Sequence, residues 1–186
     1  VYGPLVNDSF AKSRAAGGML GYYLNEDFGV ELSYLNYDAT TSDNEVAIES
    51  LGGAPDYSII KANKTISLSY TPFYAKMAFM NKAILYFDMG FTLGVGFTDY
   101  EIQKVFTNDS NVDNSVNEKK SSQHFELGVM QQLFINKNFA FRLDIKNTIY
   151  SQATQKYKVS DESLRTQSSK SANDTTITFG LTLFTN

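Results

Sequence analysis

Ile84-Leu85-Tyr86-Phe87-Asp88-Met89-Gly90-Phe91-Thr92-Leu93-Gly94-Val95-Gly96-Phe97 puts a large apolar residue at every second position: Leu85, Phe87, Met89, Phe91, Leu93, Val95 and Phe97. Between them stand Ile84, Tyr86, Asp88, Gly90, Thr92, Gly94 and Gly96. Successive side chains of a strand point to opposite faces, so one face is oily throughout and the other is small or polar. A soluble sandwich would turn a charged face to water. Here the second face is rich in glycine and carries one carboxylate, which suits a strand with lipid outside and a crowded polar interior within a barrel.

The same period recurs along the chain. Phe28, Val30, Leu32 and Tyr34 alternate with Gly29, Glu31, Ser33 and Leu35. Ile66, Leu68 and Tyr70 form another strip. Phe125, Leu127, Val129 and Leu133 share a face that Gln131 interrupts. Phe139, Phe141, Leu143 and Ile145 alternate with Ala140, Arg142, Asp144 and Lys146, and Ile177, Phe179, Leu181 and Leu183 with Thr176, Thr178, Gly180 and Thr182. Residues 13 to 24 supply a less regular strip, in which Leu20, Tyr22 and Leu24 point outward beside small Ala16 and Gly18. With a short strand within residues 1 to 7 the total is eight. The expectation is an all-β chain, 1–186 being one eight-stranded antiparallel transmembrane barrel.

Short connections are expected at Asn25-Glu26-Asp27, Asn81-Lys82 and Asn136-Lys137-Asn138, where Asn and Asp tolerate left-handed backbone. Long polar segments at 40–59, 99–120 and 151–170 alternate with them. This is the pattern of short periplasmic turns and long extracellular loops. Aromatic girdles are expected at both ends of the strips: Tyr22, Tyr23, Phe28, Phe79, Phe134 and Phe139 by the turns, and Tyr34, Tyr37, Tyr70, Phe97, Tyr100 and Tyr150 toward the loops.

Composition narrows the function. The 186 residues contain no Cys and no Trp but 14 Phe and 12 Tyr. Without Cys there is no disulfide framework or thiolate metal site. A net charge of −4 speaks against a nucleic-acid surface. No apolar run approaches the ~20 residues of a membrane-spanning helix, which leaves strands as the only route through a bilayer. The chain shows no signal peptide at Val1 and reads as mature or trimmed, with part of the first strand lacking.

Residues 72 to 96 also carry a resemblance. Pro72-Phe73-Tyr74-Ala75-Lys76, then Phe79, Asn81-Lys82, Tyr86-Phe87-Asp88, Gly94 and Gly96, resemble a family of small outer-membrane β-barrels found in myxobacteria and predatory bacteria, built as OmpA/OmpX-like eight-stranded barrels. Members usually show Pro-x-Tyr-Gly-Lys, then a turn and a strand containing Phe-Asp. Asn7-Asp8-Ser9-Phe10 and the stretch Gly17 to Gly29 also fit, while Ala75 departs from the usual Gly. The resemblance implies a barrel in the outer membrane of a Gram-negative bacterium. It names no activity, and some relatives look able to form small rings around lipid.

Three groups of residues bear on function. Leu85, Phe87, Met89, Phe91, Leu93, Val95, Phe139, Phe141, Leu143, Ile177, Phe179 and Leu181 are the expected lipid-facing belt. Glu31, Asp88, Glu126, Arg142, Asp144 and Lys146 should point inward as a charge network, because an interior charge needs a partner. The sharper reading of that network is an ion path. Ala16, Gly18 and Gln131 break the oily wall and are the candidate seam of a homo-oligomer, since small residues let backbones approach.

Weaker signals are set against bland readings. His124, the only histidine, sits where a loop meets a strand. A rim acid–base role is outweighed by a structural one. Asp109 to Glu118 resembles the start of a calcium loop but has Asn114 and Lys120 where Gly and Glu are needed. Lys156, Lys158, Arg165 and Lys170 could meet lipopolysaccharide phosphates, yet a mixed-charge solubilising loop is preferred. The expectation is therefore no enzyme, no cofactor, no metal and no nucleic acid. The expected role is structural or lipid-organising, with outer-membrane lipid as partner, either as a monomer or as a homo-oligomeric ring enclosing lipid. The alternatives are a narrow porin-like channel and recognition of an unidentified extracellular ligand by the long loops.

Overall fold

The computed structural model describes residues 1–7, 11–41, 57–79, 83–103, 118–156 and 166–185. Eight strands follow in chain order: β1 (Tyr2–Pro4), β2 (Ala11–Tyr23), β3 (Phe28–Thr41), β4 (Tyr57–Phe79), β5 (Ala83–Gln103), β6 (Glu118–Phe134), β7 (Phe139–Lys156) and β8 (Thr166–Leu183). Each pairs antiparallel with its sequence neighbour, and β1 with β8, which closes the ring. Closure leaves no free edge along the paired wall.

Walking through paired partners reveals the tilt. From Tyr23 the ladder passes Gly29, Ser69, Thr92, Gly128, Lys146, Thr176 and Leu5. It returns to β2 at Ser13, well above its start, because the Leu5 amide donates to the Ser13 carbonyl at 2.9 Å. Such a climb corresponds to strands inclined roughly 40° to the barrel axis.

Two short turns share one chemistry. In Leu24–Asp27 the side-chain oxygen of Asn25 accepts from the amides of Asp27 (3.0 Å) and Phe28 (2.7 Å). In Ile135–Asn138, Asn136 accepts from Asn138 (2.9 Å) and Phe139 (3.0 Å). Short turns were expected at both places on the ground of left-handed backbone; the structure adds that each Asn side chain accepts as an Asx turn. Asn81-Lys82 lies outside the described residues.

The polar segments at the opposite end are shorter than the sequence suggested. Strands continue to Thr41, Gln103 and Lys156 and resume at Tyr57, Glu118 and Thr166. The ladder runs on past the point where the outward residues cease to be apolar, so residues 40–41, 57–59, 99–103, 118–120, 151–156 and 166–170, expected within the polar segments 40–59, 99–120 and 151–170, lie in strands.

The β4–β5 hairpin extends beyond the ring. Pairing of β3 with β4 stops at Phe28–Tyr70, and pairing of β5 with β6 begins at Tyr86–Phe134, yet β4 and β5 remain paired to Phe79–Ala83. A register shift between Tyr70 and Phe73 marks the departure. Pro72 sits in it, where the missing N–H costs no ladder bond.

Candidate functional site: a filled lumen and an apolar wall

Strand parity sends the small and polar positions inward, and the lumen is filled in layers. At the short-turn end Phe134 stacks on Phe184 with centroids 5.5 Å apart, and Tyr23 lies tilted against Phe184 at 6.4 Å. Above them Gln132 donates to the Tyr23 hydroxyl at 3.2 Å, beside buried Met130. Next comes Arg142, whose Nη1 and Nη2 grip both oxygens of Glu31 at 2.9 and 2.8 Å. Its Nε donates to Asp144 at 2.8 and 3.0 Å, and its Nη2 to Asp144 Oδ1 at 2.8 Å. Lys146 Nζ donates to Glu126 Oε1 at 3.0 Å one layer higher. All five of these charged residues are buried.

Glycines make room for these long side chains. A Cβ on Gly128 would collide with Thr92 Oγ1 and stand 3.0 Å from Lys146 Cγ. A Cβ on Gly96 would strike the Lys64 carbonyl and lie 2.8 Å from His124 Nε2. His124 is itself buried: its Nδ1 meets Thr98 Oγ1 at 2.8 Å and its Nε2 meets Thr65 Oγ1 at 3.0 Å. It is thus an interior residue, not one presented at an open rim. Higher still, the Tyr37 hydroxyl meets Thr176 Oγ1 and accepts from Asn63, both at 3.1 Å. An apolar cap of Leu35, Ile60, Tyr100, Ile102 and Tyr150 closes that end.

The position of Asp88 corrects its grouping with the network. It has inward parity but lies below the charged layers, half-buried at the short-turn mouth, and forms no ion pair with Arg142 or Lys146. The tilt explains this: height depends on where a strand enters the staggered ring, which parity does not report.

The girdles also need correction. Tyr37, Tyr100 and Tyr150 belong to the interior cap, and Tyr23 and Phe134 to the mouth. Tyr70 stacks on Phe28 at 4.7 Å, at the short-turn end. Phe28, Tyr34 and Phe97 do face outward.

On the outer wall Met89, Phe91, Leu93, Val95, Phe139, Phe141, Phe179 and Leu181 are exposed, and Leu143 and Ile177 are half-buried. Leu85 and Phe87 are half-buried; Phe87 pairs with Leu133 at the lower end of the β5–β6 wall, and Leu85 lies on the hairpin just below it. Ile84 and Tyr86 of the same segment are exposed although their parity is inward, because β3 no longer pairs with β4 at this height and the ring is incomplete there. One further polar break lies outward on β7 and β8, where Asn147 donates to Thr175 Oγ1 at 3.0 Å.

The three candidate seam residues do not share a face. Ala16 and Gly18 are exposed on β2, while Gln131 is half-buried on β6 between Met89 and Leu143. In an eight-stranded ring β2 and β6 are diametrically opposed, so Ala16 and Gly18 lie on one side of the barrel and Gln131 on the other.

The closed ring of eight antiparallel strands, polar within and apolar without, matches the family model for an outer membrane protein beta-barrel domain over residues 5–183. The chain belongs to this family. No curated protein and no solved structure matches it. In this outer membrane β-barrel domain the described residues contain no group of three or more His, Cys, Asp or Glu placed to hold a metal. Residues 109–117 of the calcium-like segment, and Lys158 and Arg165, lie outside the described residues, while Glu118 opens β6. The inward placing of Tyr23 and Phe134, the mouth aromatic Phe184 and the histidine partners Thr65 and Thr98 were not anticipated. Parity alone would have turned Tyr23 inward, since it shares a face with Gly21 and Met19.

Proposed function

We propose that this barrel is a non-enzymatic component of a Gram-negative outer membrane that acts through its outer wall, organising the lipid around it. The observation that supports this reading most directly is the filled lumen. Arg142, Glu31, Asp144, Lys146 and Glu126 are buried in mutual ion pairs between an aromatic mouth and an apolar cap. Side chains that satisfy one another leave little field or space for a passing ion, which speaks against the porin-like alternative.

The wall has suitable dimensions. From Met89 to Phe97 the outward strip of β5 runs about 27 Å along the strand at ~3.4 Å per residue. At a tilt of ~40° it is about 20 Å tall, close to the ~25 Å apolar band of outer-membrane barrels. Motif likeness in residues 72–96 supports kinship with the small barrels of myxobacteria and predatory bacteria, and with it assembly of several copies around lipid.

Two measurements test the reading together. Reconstituted protein should be electrically silent in planar bilayers, and its absolute mass after mild extraction should include retained lipid. Ohmic single-channel steps that change with Arg142→Gln would replace this reading with a channel. A lipid-free particle stable without detergent would remove the membrane from it.

A further inference from the structure

Below the charged layers, the inner face of the projecting hairpin forms a cleft of about 440 Å³ lined by Tyr74, Ala75, Lys76, Tyr86, Asp88 and Phe134. A second cavity of about 430 Å³ shares Asp88 and Phe134 with it in its lining. Tyr74 stands opposite Asp88 in the ladder, and Lys76 opposite Tyr86. The Tyr74 ring is fixed, because its hydroxyl donates to the Glu26 carbonyl and approaches Asp27 Oδ1 at 3.4 Å.

The cleft contains two opposite charges that do not use each other. Asp88 and Lys76 are two residues from cross-strand register, yet neither has an ion-pair partner among the described residues. Among the described residues the buried lumen charges Arg142, Glu31, Asp144, Lys146 and Glu126 are paired, so this separation sets the mouth apart from the interior. The space between the two is walled by aromatic rings, whose negative faces favour an organic cation. Pockets with a few fixed polar groups on an apolar lining are the usual form of small-molecule sites.

We propose that this mouth binds a small organic zwitterion. Its ammonium group would lie against Asp88 between the rings of Tyr74 and Tyr86, and its acid group would be turned toward Lys76. The inference is independent of whether the outer wall organises lipid, since it concerns the opposite face of the hairpin.

The test uses the whole barrel in a non-ionic maltoside detergent, which carries no competing charged headgroup. Glycine betaine and tetramethylammonium chloride are titrated separately, and backbone amide shifts are followed at residues 74, 76, 86 and 88. Betaine should give saturable shifts confined to these positions and bind more tightly than tetramethylammonium. Asp88→Asn, isosteric and only half-buried, should weaken betaine ~5-fold or more, the scale of one charge-assisted or cation–π contact at a partly open site. Lys76→Gln should bring betaine down to the affinity of tetramethylammonium and leave the latter unchanged. Unaltered amide shifts elsewhere verify that each variant is folded. Linear, non-saturating shifts overturn the proposal, as does betaine binding insensitive to Asp88→Asn. Equal affinity of the two probes in the unmodified protein overturns the zwitterion assignment.

Discussion

Replacing Arg142 with leucine isolates what holds the lumen together. The guanidinium serves two carboxylates at once, each through two or more hydrogen bonds of 2.8–3.0 Å, and Glu31 and Asp144 are only 2% and 0% exposed. Removing one partner of a buried pair costs about 3–5 kcal/mol, mainly because the survivor is left uncompensated. Here two survivors remain, so about 3–5 kcal/mol is a lower bound for Arg142→Leu. Lys146→Leu strands Glu126 alone and should cost no more than that range. At 1.4 kcal/mol per tenfold, the Arg142 variant should lose at least two to three orders of magnitude in its folded-to-unfolded ratio. Reversible urea unfolding in phospholipid vesicles, read by far-ultraviolet circular dichroism, provides the assay. Adding Glu31→Gln and Asp144→Asn to the Arg142→Leu background should recover part of the loss, and the non-additivity measures the coupling. A single variant within about 1 kcal/mol of the parent would refute the reasoning, for it would mean water reaches these carboxylates.

Three other outcomes follow from the same geometry. Phe91→Arg should cost ~2–4 kcal/mol if Phe91 meets lipid at mid-height; Thr92→Arg should fail for a different reason, a collision within the lumen, and its loss should persist when the barrel is refolded in detergent. Gly128→Ala should destabilise by about 1–3 kcal/mol, since the added methyl is driven into Thr92 and Lys146; an unchanged urea midpoint would show that the lumen has slack. His124→Ala should lower the urea midpoint, because it leaves buried Thr65 and Thr98 without their ring partner, and should change no hydrolysis of ester or phosphoester probes.

Parity carried most of the fold. Glu31, Glu126, Arg142, Asp144 and Lys146 share the face of their strands' glycines and threonines, so their inward direction was legible residue by residue. Which of them meet was not legible. Glu31 on β3 reaches Arg142 on β7 only because the ring closes and the strands incline, and one strand's sequence contains neither stagger nor neighbours four strands away. Asp88 shows the same gap from the other side: its direction was right and its height was not. Tyr37, Tyr100 and Tyr150 were assigned by nearness to polar segments, although Tyr37 shares parity with Leu35 and Glu31. The segment bounds failed because apolar content was taken for strand content, whereas backbone hydrogen bonds continue through Asp99 and Glu101 regardless of side chain.

The Arg142–Glu31 clasp has a consequence for assembly. It spans the ring from β3 to β7, and Asp144 is drawn in from the same strand. A sheet that entered the bilayer before closing would keep Arg142 with Asp144 on one wing but carry Glu31 unmatched on the other. Every partly wound intermediate is therefore penalised, and only the finished cylinder escapes the penalty. Charges that look like passive filling thus act as a check on completion: β1 and β8 must meet before the membrane tolerates what the chain has carried into it.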